Sequence, residues 1–394
     1  MQFPERFSDL PDYAFPRLRA LLDPHEPGGD VLHMSIGEPK HPFPAFVIDE
    51  INRHADGFNK YPPNDGAPEL LAAIEGWLKW RYGVDIPHEG IMALNGTREG
   101  LFNACLALCP EQKNGQRPAV LLPNPFYQCY AAATLAAGAE PVYVPATAET
   151  GFLPDYSALP KEILDRAAIA YLCAPSNPQG AIATGTYWRD LIALADAHDF
   201  RLFADECYSE IYRGEPPRGA LETAAQIGAD PERVLIFHSL SKRSSAPGLR
   251  SGFVAGGVKS VAAIRKLRSY GGAPLPLPLQ MAAARLWADE EHVTENRARY
   301  VGKYEIADEI LGNLPGYTSP EAGFFLWLDV GDGEDFALRL WKNHGVRVLP
   351  GAYLSRESGG TDPGARYIRV ALVAEEDEIT RGLTAIRTEL TNRG

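Results

Sequence analysis

The feature that most constrains this chain is a long alternation of two kinds of segment between residues 95 and 269. Short runs of apolar, β-branched and aromatic residues alternate there with longer amphipathic stretches. This pattern is typical of a parallel sheet covered by helices. It predicts strands at 119–122, 141–144, 169–173, 201–204, 234–238 and 252–255, and helices at 98–108, 127–137, 187–198 and 260–269. The predicted fold class is therefore α/β, with a mainly parallel sheet flanked by helices.

The two ends of the chain have a different character. Residues 290–311 predict a long charged amphipathic helix, and 324–330 and 367–372 predict strands, which indicates a smaller α+β domain. Because 394 residues exceed what one hydrophobic core usually supports, we expect an N-terminal arm with part of the small domain at 1–45, a large domain at 46–285 and a small C-terminal domain at 286–394. The arm is predicted to be extended and packed on another surface because it is rich in proline. Its prolines are Pro4, Pro11, Pro16, Pro24, Pro27, Pro39, Pro42 and Pro44.

Charge and composition exclude several classes of protein. A net charge of −13 argues against a nucleic-acid binder, which needs basic surface for phosphate contacts. No apolar run approaches the roughly 20 residues that span a bilayer, and the N-terminal residues do not resemble a secretory signal. The five cysteines lie mostly in apolar segments without a metal-binding pattern. We therefore expect a cytoplasmic protein with buried thiols, no metal, and no nucleic-acid or membrane partner.

A lysine after a predicted strand is the first candidate for chemistry. Lys242 ends the motif His238-Ser239-Leu240-Ser241-Lys242, and Arg250 follows in a loop that contains glycine. A Schiff-base lysine must be held by a rigid element, and serine hydroxyls with a guanidinium suit a phosphate dianion. Taken alone, the motif also fits an ordinary loop at a strand end.

Two polar motifs follow neighbouring predicted strands. Asp205 ends the segment RLFAD, where an acid can pair with a pyridinium nitrogen; a helix N-cap is the competing interpretation. Tyr208 follows three residues later and can reach the same ligand. Asn177 lies in a turn fixed by proline on either side, and its amide can face a ligand.

Two further motifs suggest contacts with an anion and with a planar ring. Gly96, Thr97 and Arg98 open a predicted helix, whose N-terminal amides suit an anion, although a capped helix start explains them as well. Tyr127 follows the next strand and offers a face for stacking, although an aromatic residue there is often part of the core.

The last candidates lie near the two ends of the chain. Arg369, in the apolar strand YIRVAL, needs an anionic partner because an unpaired buried charge is costly. A substrate carboxylate or an ordinary salt bridge would satisfy it. Gly37, in SIGEPK, completes the set.

In order and spacing, these motifs resemble those of the class I and II aminotransferases across nearly the whole chain. The segments concerned are KYPPNDG with Tyr61, GTR, NPFY, SNP, DECY, SLSK and YIRVAL. The resemblance implies the fold type I of pyridoxal-phosphate enzymes, pyridoxal phosphate as the cofactor, and a homodimer with shared active sites.

The resemblance also implies a role for each matched residue. Lys242 would bond covalently to the cofactor, Asp205 would pair with its ring nitrogen, and Tyr208 would complete the catalytic group. The other implied cofactor contacts are Asn177 and Tyr208 at the 3-oxygen, Tyr127 stacked on the ring, Gly96, Thr97, Arg98, Ser239, Ser241 and Arg250 around the phosphate, and Tyr61 from the partner subunit. Gly37, Asn177 and Arg369 would bind the substrate carboxylate.

Within this class, four segments resemble the succinyldiaminopimelate aminotransferases of lysine biosynthesis: GTREG, EAGFFLWLDV, VLPGAYLSR and DPGARYIRVALVA. Glutamate and 2-oxoglutarate would be the second pair of substrates. The chain departs from its relatives at Gln128, where proline is common, and at residues 243–245. Arg19, Lys60 and Arg356 are candidates for binding the succinyl carboxylate, and each also fits a solvated surface position.

Other functions remain to be weighed against this one. An aspartate- or alanine-type aminotransferase, or a carbon–sulfur lyase with the same cofactor, would share the residues around the ring and differ in product. The acidic charge and the intact lysine disfavour the effector-sensing domain of a transcription regulator. No G-x-G-x-x-G motif opens a helix, which disfavours a nicotinamide enzyme.

Overall fold

A seven-stranded mixed sheet forms the centre of the protein in the computed structural model, which describes residues 5–8, 10 and 12–392. Its order is β2-β8-β7-β6-β5-β3-β4. The strands are β2 (Ile91–Leu94), β3 (Ala119–Asn124), β4 (Glu140–Pro145), β5 (Ala167–Cys173), β6 (Arg201–Asp205), β7 (Val234–Ser239) and β8 (Gly252–Gly256). Strand β8 runs opposite to the other six strands. The predicted α/β class with a mainly parallel sheet is confirmed.

Helices cover both faces of this sheet. One face packs against α2 (Phe46–Arg53), α3 (Pro68–Tyr82), α7 (Gly185–His198), α8 (Ala220–Ile227) and α11 (Leu277–Trp287). The other packs against α4 (Thr97–Leu108), α5 (Gln128–Ala136) and α10 (Val258–Gly271). Two short helices, α6 (Lys161–Leu164) and α9 (Leu240–Arg243), lie in connections. Because both faces are covered, β5 is buried along its whole length, which explains its continuous apolar sequence.

The N- and C-terminal parts of the chain build a second, smaller layer. Its helices are α1 (Ala14–Leu22), α12 (Glu291–Leu311), α13 (Gly333–His344) and α14 (Glu376–Thr391), and its strands are β1 (Leu32–His33), β9 (Phe325–Asp329), β10 (Val346–Arg347), β11 (Leu349–Pro350) and β12 (Tyr367–Ala371). Strands β11, β12 and β9 form an antiparallel sheet, and β1 pairs with β10. The N-terminal segment thus joins the C-terminal part of the chain; the domain boundaries at 45 and 285 stay predictions.

The prediction of an extended N-terminal arm is wrong for residues 14–22. These residues form α1, whose buried side chains Leu18 and Leu22 pack near Trp341. Pro16 is the third residue of the helix, where its missing N–H would have no acceptor in any case. Pro24 follows the end of the helix, so these prolines border a helix and do not extend the chain. Pro4 and Pro11 lie outside the described residues.

Candidate active site

Residues from distant motifs line one cavity at the carboxyl ends of β5, β6 and β7. Its volume is about 340 Å³. Parallel strands end at the same edge of a sheet, so the side chains that follow them come together. All of the predicted site residues except Gly96 and Tyr61 line this cavity: Gly37, Thr97, Arg98, Tyr127, Asn177, Asp205, Tyr208, Ser239, Ser241, Lys242, Arg250 and Arg369.

Lys242 lies on the short helix α9, which follows β7 directly. Its ammonium nitrogen donates a hydrogen bond of 2.5 Å to the carbonyl oxygen of Gly37. Burial lowers the pKa of Lys242 to about 8, and the nearby charge of Arg369 acts in the same direction. Near pH 8 a substantial fraction of Lys242 is therefore the unprotonated amine, which is the nucleophilic form.

Asp205 is the last residue of β6 and is 4% exposed. Its Oδ2 accepts a hydrogen bond of 2.8 Å from the hydroxyl of Tyr130, whereas Oδ1 is buried without a well-formed hydrogen bond. Burial raises the pKa of Asp205, and hydrogen bonds from Tyr130 and Cys207 partly offset that effect. No helix begins at Asp205, so it is not an N-cap. A ligand with a ring N–H would satisfy the unpaired oxygen.

Arg369 lies on β12, and its guanidinium contacts a group of buried polar atoms. Nη1 donates to Oδ1 of Asn177 at 3.0 Å and Nη2 donates to the carbonyl oxygen of Ser35 at 2.7 Å, while Nε has no partner. Asn177 in turn donates to the hydroxyl of Tyr208 at 3.2 Å. Burial lowers the pKa of Arg369 to about 10. Among the described residues no carboxylate lies within salt-bridge distance, so this buried cation can accept an anionic ligand.

The opposite wall of the cavity combines a helix N-terminus, hydroxyl groups and a guanidinium. Gly96 precedes α4 with φ +80°, a backbone conformation that favours glycine, and a Cβ there would displace the guanidinium of Arg250. Ser239 ends β7 and Ser241 lies on α9, with 2.9 Å between their hydroxyl oxygens. Thr97 adds a hydroxyl in the first turn of α4. The donor set suits a phosphate dianion.

Tyr127 and Arg98 contact each other beside this wall. Nε of Arg98 donates to the hydroxyl of Tyr127 at 2.5 Å, and Tyr127 lies edge-on to Tyr130. The ring of Tyr127 thus borders the cavity together with the side chain of Arg98.

The remaining candidates lie outside this cavity. Tyr61 is fully exposed and contributes nothing to the site within one chain. Arg19 and Lys60 are exposed and line neither this cavity nor its neighbour. Arg356 lines a neighbouring cavity of about 340 Å³ together with Arg17, and the two cavities share Phe126 and Gln128.

Tyr130 was missed in the sequence. Its hydroxyl holds Asp205, and its ring stacks on Tyr171 with 4.4 Å between centroids. A signal was present, because a tyrosine within the apolar helix QCYAAATLA needs a partner for its hydroxyl when it is buried. Arg369 also donates to the backbone carbonyl of Ser35, and a contact with a backbone atom cannot be predicted from the pattern of side chains in the sequence.

The rest of the described structure contains neither a metal cluster nor a spanning segment. Across residues 5–8, 10 and 12–392, no three His, Cys, Asp or Glu side chains are grouped to hold a metal ion. No helix in the same residues has the length and apolar character needed to cross a membrane.

Comparisons with known proteins agree with this geometry. The family model for aminotransferase class I and II matches residues 29–386. An LL-diaminopimelate aminotransferase of Dehalococcoides mccartyi is 30% identical over 398 residues and covers 98% of both chains, and one of Moorella thermoacetica is 30% identical with 99% of both chains covered. The crystal structure of an aminotransferase from Neisseria meningitidis superposes with a TM-score of 0.94 at 36% identity, covering 98% of this chain and 99% of that one. One from Helicobacter pylori gives 0.90 at 34% identity with full coverage of both.

A mainly parallel sheet with a lysine, an aspartate and an arginine around one cavity defines a pyridoxal-phosphate enzyme of fold type I. The chain belongs to the class I and II aminotransferase family. Its cofactor is pyridoxal phosphate, and the residues present fit that group. Oδ1 of Asp205 lacks a well-formed hydrogen bond, which a ring N–H would supply, and the wall beside Gly96 suits a phosphate.

Proposed function

We propose that this enzyme transfers the amino group of glutamate to a keto acid of the diaminopimelate branch of lysine biosynthesis, with the N-succinylated compound as its substrate. The observation that carries the proposal is the single cavity in which Lys242, Asp205 and Arg369 meet. In this proposal the protein is a cytoplasmic homodimer, and the exposed Tyr61 reaches the phosphate of the partner's site.

The residues of the cavity have distinct tasks in the proposed reaction, and Lys242 and Asn177 have two each. Pyridoxal phosphate supplies, when bound, an aldehyde carbon that condenses with amines and a ring that delocalises negative charge. Lys242 holds the cofactor covalently between turnovers, and its free amine moves a proton from the α-carbon of the substrate. Asp205 keeps the ring nitrogen protonated, because a carboxylate beside it favours the charged form. Arg369 binds the α-carboxylate with Asn177 and Gly37.

The other contacts hold the cofactor in place. Asn177 and Tyr208 contact its 3-oxygen, and Tyr127 stacks on its ring. The phosphate is held by residues of the wall that lies opposite Arg369, namely Gly96, Thr97, Arg98, Ser239, Ser241 and Arg250. Such preorganised donors keep the reacting atoms aligned without reorganisation during the reaction.

The neighbouring cavity supports the succinylated substrate. Arg17 and Arg356 line it, so two guanidinium groups lie next to the space where the distal end of a long substrate must extend. The guanidinium of Arg17 is stacked 3.9 Å above the ring of Tyr353, and its Nη2 lies 3.5 Å from Oε1 of Glu334. An N-succinyl substrate presents two distal carboxylates, the pattern that arginine side chains bind best.

Free LL-diaminopimelate is the second candidate substrate. The curated relatives named above carry that activity in their names at 30% identity over nearly the whole chain. Its distal end bears an ammonium group as well as a carboxylate. Asp12 lines the neighbouring cavity beside Arg17 and Arg356, so an ammonium group would meet both a carboxylate and two guanidinium groups there. The succinylated substrate, with two distal carboxylates, has the better charge match to the two arginines.

An absorbance experiment tests both the proposed transamination and the proposed substrate. Glutamate should bleach the visible band of the purified protein, and the succinylated keto acid should restore it. A band restored only by the unsuccinylated keto acid would favour the second candidate. Release of ammonia or a thiol without restoration would indicate a lyase, and the absence of any band after pyridoxal phosphate is added would contradict the proposed reaction.

A further inference from the structure

A second buried polar group lies behind the active-site lysine. His41, Asn296 and Lys303 are 6%, 7% and 2% exposed, and none of them lines the cavity described above. Asn296, Tyr300 and Lys303 all lie on α12 at a spacing of four and three residues, which places them on one face of the helix. His41 packs against that face, with 4.9 Å between its ring centroid and that of Tyr300.

Asn296 contacts the backbone that carries the active-site lysine. Its Nδ2 donates hydrogen bonds to the carbonyl oxygens of Lys242 at 3.1 Å and of Arg243 at 3.2 Å. Helix α9 ends at Arg243, so these carbonyls belong to the last turn, where a helix has no amide of its own to offer. The side chain of Asn296 therefore caps the C-terminus of α9 and fixes the peptide groups on the C-terminal side of Lys242.

The direction of the hydrogen bonds through this group is determined by its chemistry. Because Nδ2 of Asn296 donates twice, its Oδ1 faces Nδ1 of His41 as an acceptor, at 3.2 Å. Nδ1 must then carry the proton, which leaves Nε2 of His41 as an acceptor for the ammonium group of Lys303 at 2.6 Å. Lys303 thereby selects the tautomer of His41, and that tautomer fixes the orientation of the Asn296 amide.

The same short stretch of chain also contacts the other end of Lys242. The carbonyl oxygen of Gly37 accepts the hydrogen bond from Nζ of Lys242, and the carbonyl oxygen of His41 accepts one of 2.6 Å from the hydroxyl of Ser245. Residues 37–41 thus hold the side-chain tip of Lys242 directly and its backbone through Asn296. Buried networks in which every member is satisfied rigidify the segments that they join.

We propose that Asn296, oriented by His41, is a positioning residue that fixes the backbone from which Lys242 reaches the cofactor. Lys303 acts one step further away by holding His41 in the required tautomer. None of the three touches the cavity, so they act on the reaction only through the position of Lys242. The proposal needs pyridoxal phosphate as the cofactor but is independent of the substrate.

The test measures how fast Lys242 captures pyridoxal phosphate. The holoenzyme is stripped of cofactor, pyridoxal phosphate is added, and the visible band is followed while the amine condenses with the aldehyde and releases water. Borohydride reduction and peptide mass then confirm the attachment to Lys242. Asn296→Leu should slow capture by about tenfold or more, because small displacements of a reacting group are costly.

A matched control separates positioning from general loss of stability. Thr223→Val removes another buried hydrogen bond, from the Thr223 hydroxyl on α8 to the carbonyl of Gly219, which precedes that helix. Its capture rate should stay within about twofold of the parent rate, whatever its melting temperature. The proposal is overturned if Asn296→Leu captures the cofactor as fast as the parent, or if Thr223→Val slows capture equally.

Two substitutions of His41 test the direction of the network and serve if Asn296→Leu does not fold. An asparagine amide occupies the position of Nδ1 of histidine, and a glutamine amide occupies that of Nε2. His41→Asn should keep the contact to Asn296 and a capture rate near that of the parent, whereas His41→Gln should keep only the contact to Lys303 and slow capture. Equal rates for the two variants would contradict the proposed orientation of Asn296 by His41.

Discussion

The two walls of the active-site cavity are built in different ways. The cofactor wall, defined by Thr97, Asp205, Ser239, Lys242 and Arg250, is supplied by residues at strand ends of one sheet or within three residues of them. The substrate wall, defined by Gly37 and Arg369 and continued by Arg356 in the neighbouring cavity, needs both ends of the chain. The pairing of β1 with β10 and of β11 with β12 brings them together.

Because the two walls are built differently, substitutions in them should have different kinetic effects. Changes in the cofactor wall should impair every half-reaction, because all substrates use the same ring and the same lysine. Changes in the substrate wall should alter the Michaelis constant for particular substrates and leave cofactor binding intact. The predictions below test that division.

The largest loss is expected from Lys242→Ala. Removing both the covalent attachment and the proton-transferring amine should lower kcat by about 10⁴-fold, at the upper end of what one acid–base group contributes. Steady-state assays with glutamate and either keto acid measure the loss. Lys161→Ala, an exposed lysine paired with Asp165, is the control and should retain full activity. Substantial residual turnover without an added amine would exclude the proposed role of Lys242.

Asp205→Asn should lower kcat/KM by roughly a thousandfold, because breaking a buried charge pair costs about 3–5 kcal/mol. Asparagine has nearly the shape of aspartate but carries no charge, so the substitution removes the charge and leaves the packing in place. Melting temperature should change little while activity falls with every substrate. Near-normal turnover would mean that the carboxylate of Asp205 is not needed at the ring nitrogen.

Arg369→Lys should raise the Michaelis constant for glutamate by roughly 10- to 100-fold, because a lysine cannot form the bidentate bond to a carboxylate. The affinity for pyridoxal phosphate, measured by fluorescence quenching, should stay the same. A parallel fall in the affinity for pyridoxal phosphate would contradict the assignment of separate functions to the two walls.

The same division explains how much could be predicted from the sequence. Six of the seven strands of the central sheet, and Lys242, Asp205 and Arg250, follow from local patterns, since each motif lies beside the strand that positions it. Strand β2 (Ile91–Leu94) was not predicted. The extended N-terminal arm was wrong, because α1 depends on packing against Trp341, more than 300 residues away along the chain. The partner of Arg369 on Ser35 and the contact of Asn296 with Lys242 are likewise long-range and involve backbone atoms, which no side-chain spacing reveals.

The pH dependence of cofactor capture tests the cofactor wall without any substrate. Burial lowers the pKa of Lys242 to about 8. The reactive form is the unprotonated amine, so the capture rate of the stripped protein should rise about tenfold per pH unit up to pH 8 and level off above it. Stopped-flow absorbance over the range from about pH 6 to about pH 10 measures this profile. A rise that continues to pH 10 would show an ordinary lysine.

The smallest effect is expected at the outer part of the substrate wall. Arg356→Gln should raise the Michaelis constant for the succinylated substrate by about five- to tenfold, because an arginine–carboxylate contact near the surface is worth about 1 kcal/mol. The half-reaction with glutamate should be unchanged, because glutamate is too short to reach this cavity. The control is Arg387→Gln, which changes an exposed arginine on α14 and should leave both half-reactions unchanged.

Arg17→Gln should behave like Arg356→Gln because both side chains line the same cavity. Equal losses with both substrates would place Arg356 in the shared machinery. No loss with the succinylated substrate would mean that the distal carboxylates bind elsewhere, while the roles of Lys242 and Asp205 would stand, since they belong to the other wall.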